Sequence, residues 1–410
     1  MFRLPFLFII TGIISFTLFQ ILTLSDLASW MGDHPRNPNG WFRIHLLVLG
    51  WGTMIAMGAV YQLINVVLQS NIYSQKLGFT HYGFFAVGTT GLLIGFHNMN
   101  VQWIAGFATI AFIGILLFAW NMGATLLRAS QWNAVTISTA CSVIYLTLTG
   151  LTGMAMGLNF HFSQWGSFHD QLFGAHLWFG ALGWFGLMIT GISYKMLPMF
   201  YLSHGFPTYL QKIIIVLWNA GVMIGAISFL LDWHEFMKWL GLLFIVLALI
   251  AYNIHISLIY KSRHKPKPGH GIVWSIRSAR TLMLVGIITL LLFPVFPEHM
   301  YQSNMIMILG WIYLWGWVAI TILAYLSKIV PFLWWTHKYG PLVGKKRIPT
   351  MAELIDDRYV QYGLSVIVFS LLVLLCGLGW NLSDLITIGG CFLALGSIIY
   401  ISLIARVFTR

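Results

Sequence analysis

The sequence predicts an all-α integral membrane protein of twelve transmembrane helices, and three observations lead there. Hydrophobic residues fill 59% of the 410 positions and charged residues only 8%, against roughly 45–50% and about 25% in soluble domains. The apolar residues fall in runs of about 20, the length that crosses a hydrocarbon core as a helix. Short segments rich in Gly, Asn, Ser, Pro and charge separate these runs.

Taken in order, the runs predict spans at 4–24, 43–69, 78–97, 101–127, 134–158, 170–199, 209–231, 236–260, 278–296, 302–327, 360–379 and 383–406. The first follows Arg3, has no small-x-small cleavage site behind it and reads as a retained anchor. Asn98, Asn100, Pro294 and Pro297 punctuate the ends of the third, fourth and ninth runs. The longest connection, 338–359, is expected to form an amphipathic turn on the inner membrane surface. The whole of 1–410 is read as one transmembrane domain.

Orientation follows from Lys and Arg, because basic loops stay on the cytoplasmic side. With both termini inside, 19 basic and 3 acidic residues face inward, against 3 basic (Arg36, Arg43, Lys238) and 7 acidic residues outside. The net charge of +12 therefore reflects a cell-membrane orientation and attraction to anionic lipid, not nucleic-acid binding. Cys141, Cys376 and Cys391 all fall inside spans, without CxxC or CxxCH spacing. They read as inert buried thiols, and no covalent haem is expected. The sequence has no Walker loop, dinucleotide fingerprint, HExxH or nucleophile elbow.

An internal repeat organises the spans. Leu49-Gly50-Trp51, Leu182-Gly183-Trp184 and Leu309-Gly310-Trp311 fall in the second, sixth and tenth. In the first two copies Gly58 and Tyr61 correspond to Gly191 and Tyr194 at the same offset of 133. Helices four apart are thus related, which predicts three quasi-equivalent four-helix units.

Histidines carry the chemical expectation, since ionisable groups inside a membrane are costly and usually functional. His45 opens the second span just after Arg43, and His176 lies in the outer part of the sixth. His45 has two readings: a haem or metal ligand with Arg43 or Arg36 neutralising a propionate, or an interfacial imidazole among headgroups. Gly52, Ala56 and Ala59 recur below it at helical spacing, admitting either a flat porphyrin or another helix. His176 is a ligand or a neutral imidazole bonded to a neighbouring helix, with Gly180 and Gly183 on its face. His169 stands seven residues earlier, about 10 Å along the axis, too far to share one metal with His176. His97, His169 and His299 are the next candidates for an outer metal pocket. Aligned on the triplets, Met305 falls opposite His45, suggesting a His/Met axial pair or plain apolar filling. No Asp or Glu is expected mid-helix, which argues against proton pumping. The interior polar groups are Gln62, Asn65, Thr89, Thr90, Asn219, Asn253, Tyr61 and Tyr194.

With His45, Gly50, Tyr61 and Gln62 in the second span, and His176, Gly191, Tyr194 and Leu197-Pro198 in the sixth, the chain resembles subunit I of the haem-copper oxidase superfamily. The resemblance is to its cbb-type and nitric-oxide-reductase-like branches, and covers the whole chain in topology but two helices in motif. It implies a non-covalent, b-type haem, copper as a further cofactor, and an electron-donor subunit or quinol as partner. That family also places histidines in its seventh and tenth helices; here 209–231 and 302–327 contain none. The implied protein is a reduced relative, not a conventional proton-pumping terminal oxidase. Two functions follow: electron transfer or binding of a diatomic gas such as nitric oxide or oxygen near the outer face, or non-enzymatic carriage or maturation of copper or haem.

Overall fold

The computed structural model describes residues 2–68, 71–129 and 131–410, with the side chains of 65–68 outside that description. Asn65 as a polar group and the predicted helix end at 69 fall there. Among the described residues the backbone is helix and turn without strands. Among the described residues twelve helices are long and apolar enough to cross a bilayer. They are α1 Arg3–Ser25, α2 Pro38–Ile64, α3 Gln75–His97, α4 Val101–Leu126, α5 Ala134–Phe162, α6 Phe168–Tyr201, α7 Tyr209–Leu230, α8 Glu235–Lys261, α9 His270–Leu292, α10 Ser303–Lys338, α11 Asp357–Trp380 and α12 Ser383–Thr409.

Side-chain caps fix several helix starts. The Asn37 carboxamide accepts from Gly40 N at 2.8 Å, with Pro38 at the first helical position, and Ser74 and Asn100 accept likewise at α3 and α4. Asn133 and Thr136 cap α5 reciprocally. These side chains occupy backbone donors that a helix leaves unpaired inside its first turn.

The largest departures from the predicted spans are in α9, which starts at His270, and α10, which continues to Lys338. An apolar run stops at its first charges, but a helix does not when those charges lie near its end and find partners. Arg277 and Arg280 lie within the first turns of α9, and Lys328 in α10 reaches Asp357 Oδ1 at 3.3 Å. The shortened connection after α10 holds two 3-10 turns, Gly340–Leu342 and Met351–Leu354. The cysteines are free and lie within membrane-length helices, Cys376 on an outer face of α11 and the other two half-buried in the protein.

Residues group into two compact units. One comprises Met1–Gln62, Lys267–Leu282 and Pro297–Arg410, and the other Leu63–Pro266 and Met283–Phe296. The expected four-helix units are not these compact units. In the first, Tyr400 on α12 donates to Leu323 O on α10 at 3.0 Å. In the second, α7 and α8 meet glycine to glycine, a methyl at Gly221 lying 2.9 Å from Gly241 O.

The internal repeat is written in the backbone. α2, α6 and α10 each contain a wide π-helical stretch, at Leu46–Thr53, Trp178–Gly186 and Ile312–Ala319. Their glycine-tryptophan pairs, Gly50-Trp51, Gly183-Trp184 and Gly316-Trp317, are spaced by 133 residues each. Three packing contacts repeat at that interval. A methyl at Gly58 would lie 3.2 Å from Pro5 O, one at Gly191 2.5 Å from Ser138 Cβ, and one at Gly271 2.7 Å from Ala324 O. In each case the helix with the π stretch lies against α1, α5 or α9 at the same step of the repeat. The third copy is therefore registered on Gly316-Trp317, and the Leu309-Gly310-Trp311 triplet is six residues out of phase with it. Met305 consequently stands opposite Asn39, and Trp311 opposite His45.

Candidate functional site

His45 is the residue from which the first π stretch departs. Its Nδ1 lies 2.8 Å from Trp41 O, one turn back on α2. A carbonyl can only accept, so Nδ1 carries the hydrogen, and a neutral ring then holds its lone pair on Nε2. Beside it, Arg43 is 7% exposed and pairs Nη2 with Asp26 Oδ2 at 2.7 Å and Nε with Asn39 Oδ1 at 2.9 Å. The guanidinium lies over Trp30, 5.4 Å from its ring centre. Its Nη1 and the Asp26 Oδ1 are buried without hydrogen-bond partners.

His176 stands in α6 two residues before the second π stretch, where His45 stands one residue before the first; in the 133-residue register it falls opposite Arg43. Its Nδ1 lies 3.0 Å from Thr149 O on α5 and 3.2 Å from Thr152 Oγ1. The carbonyl again assigns the hydrogen to Nδ1. The His176, Gly180 and Gly183 face packs on α5, where methyls at the two glycines would meet Thr149 Cγ2 at 3.0 Å and Tyr145 Cβ at 2.6 Å. Gly50 and Gly58 pack on α1 in the same manner, the Gly50 methyl 3.3 Å from Ser15 Cβ. The small residues with resolved contacts thus serve close helix approach, the second of the two readings open for such a stripe. Gly52, Ala56 and Ala59 are buried.

His169 has the opposite polarity. Asn159 Oδ1 accepts from Trp165 N at 3.0 Å, which leaves Asn159 Nδ2 as the donor to His169 Nδ1 at 3.1 Å. A ring that accepts at Nδ1 carries its hydrogen on Nε2 when neutral, the wrong tautomer for a ligand through that atom. His97 and His299 are exposed at the ends of their segments. No three or more His, Cys, Asp or Glu among the described residues come close enough to hold a metal ion. His97, His169 and His299 each stand at a separate helix end. Met305 is half-buried.

The most deeply buried histidines are two for which the sequence suggested no role. His81 and His255 are both 0% exposed. His255 Nε2 faces Gln211 Nε2 at 3.1 Å, with its ring edge-on to Tyr194. Sequence reading also passed over Gln20, buried at 0% exposure in α1. Its signal was available: a carboxamide in an apolar helix, in helical phase with Phe16 and Thr23.

The residues fit haem in one respect and resist it in another. Nε2 of His45 and of His176 has the tautomer and backbone anchoring of an axial ligand. Arg43 does not fit as the charge that neutralises a propionate, because Asp26 already balances it; only its unpartnered Nη1 remains as a donor. No protein-family model matches the chain, and no curated protein matches it.

Proposed function

We propose that this chain is a haem-binding membrane protein, related to subunit I of the haem-copper oxidases, that transfers electrons or binds a diatomic gas near its outer face. The observation that carries the reading is the paired anchoring of His45 and His176. Each imidazole ties Nδ1 to a backbone carbonyl, and each stands at the entry to a π-helical stretch, a backbone form concentrated at functional sites. Bound haem iron would supply one-electron exchange or a coordination position for nitric oxide or oxygen. The chain's part is to orient the imidazoles and to offer Arg43 Nη1 as a hydrogen-bond donor. The cell membrane, with both termini inside, is the proposed setting, supported by the excess of Lys and Arg on that side.

The test is a pyridine-haemochrome and absorption measurement on purified protein from haem-replete cells. The parent chain is expected to show a Soret band, and His45→Ala or His176→Ala to abolish it, while His169→Ala keeps it. A parent preparation free of tetrapyrrole overturns the proposal. Stoichiometric copper in such a preparation would instead support a carrier or maturation role.

A further inference from the structure

We propose that Gln20, Trp51 and Trp315 form a buried site for a neutral hydrogen-bond-accepting oxygen, either that of water or a carbonyl oxygen of an apolar molecule. The site lies in the compact unit containing α1, α2 and α10. One face of α1 presents Phe16, Phe19, Gln20 and Thr23, all 0% exposed. Trp51 from α2 and Trp315 from α10 both pack on Phe16, with ring centres at 4.3 and 5.9 Å, and Trp315 also meets Phe19 at 6.4 Å. Gln20 is one turn along α1 from Phe16, at the edge of this aromatic layer.

Four polar atoms here lack a hydrogen-bond partner: Gln20 Nε2 and Oε1, Trp51 Nε1 and Trp315 Nε1. Buried polar groups are hydrogen-bonded in nearly all native structures, and a buried carboxamide with both ends unmet is among the costliest exceptions. The layer is not short of acceptors throughout. Trp30, the next indole outward, donates to Thr23 Oγ1 at 3.2 Å. Within this aromatic layer the unmet atoms belong to one residue from each of three helices.

Donor and acceptor types define the occupant. Two indole N–H groups can only donate, and the carboxamide adds two further hydrogens against a single acceptor oxygen. The missing group must therefore accept. It is neutral, because a charge buried among apolar rings is costly unless paired, and Gln20, Trp51 and Trp315 carry no charge to pair it. A water would accept from the indoles and return a hydrogen to Gln20 Oε1. A carbonyl oxygen would accept from the same donors, its apolar body lying among the rings.

Difference ultraviolet resonance Raman spectra, wild type minus Trp51→Phe and wild type minus Trp315→Phe, isolate each indole. Both are expected to show the hydrogen-bonded N–H signature in the wild type; a free N–H signature for both overturns the site. Gln20→Leu, nearly isosteric, is expected to lower the melting temperature by about 2 °C or more, because a made hydrogen bond is lost. A rise would mean the carboxamide had no partner and would count against the site. Organic extraction of the purified protein with mass spectrometry then assigns the oxygen. A stoichiometric carbonyl compound identifies the apolar ligand; hydrogen-bonded indoles without one identify water.

Discussion

The group that faces Nδ1 separates His45 and His176 from His169. His45 and His176 were identifiable as imidazoles inside predicted spans from residue type and position, and His169 as a candidate one residue before its span. What the sequence does not carry is the identity of the group facing Nδ1. A carbonyl there leaves the lone pair on Nε2, as at His45 and His176, whereas the Asn159 amide at His169 does the reverse. Glycines divide in the same way. Gly191 would set a methyl 2.5 Å from Ser138 Cβ, while Gly83 has nothing within 4 Å. Gly191→Ala is accordingly expected to destabilise by about 1–3 kcal/mol, through strain against a packed helix. Gly83→Ala should stay within about 0.5 kcal/mol of the parent. Thermal unfolding in detergent compares the two, and equal effects would contradict the packing register.

At the scale of elements, helix number was legible while the π stretches were not. Twenty-residue apolar runs follow from bilayer thickness, but an apolar run reads alike whether its turns hold 3.6 residues or more. The wide turns explain why the triplet repeat failed in its third copy. Leu309-Gly310-Trp311 lies before its π stretch, and the triplets at 49–51 and 182–184 lie within theirs. Phase had to be set by the contacts Gly58–Pro5, Gly191–Ser138 and Gly271–Ala324. Caps can be tested directly. Asn133 accepts from Val135 N at 3.0 Å and Thr136 N at 3.2 Å at the start of the 29-residue α5. Asn133→Ala should cost about 1 kcal/mol and Asn133→Asp much less, since the aspartate oxygen can still accept. Equal losses in chemical-denaturant titrations would show that the cap contributes nothing.

For the whole molecule, the proposed orientation rests on an asymmetry too large to be accidental: 19 of 22 basic residues fall on one side of the twelve spans. Helix count alone fixes only that both termini share a side, because an even number of crossings returns the chain to where it began. Charge then selects which side, since Lys and Arg resist translocation while Asp and Glu contribute little. Two exposed connections separate the alternatives. Gln164 lies between α5 and α6, and Lys346 between α10 and α11. An odd number of helices, five, lies between these connections, so they must open on opposite faces. In a background with Cys141, Cys376 and Cys391 replaced by Ala, Gln164→Cys is expected to react with a membrane-impermeant maleimide in intact cells. Lys346→Cys should react only once the membrane is opened. Reversed labelling would put the basic loops outside and remove the outer placement of His45 and His176. Labelling of both in intact cells would break the count of twelve crossings itself.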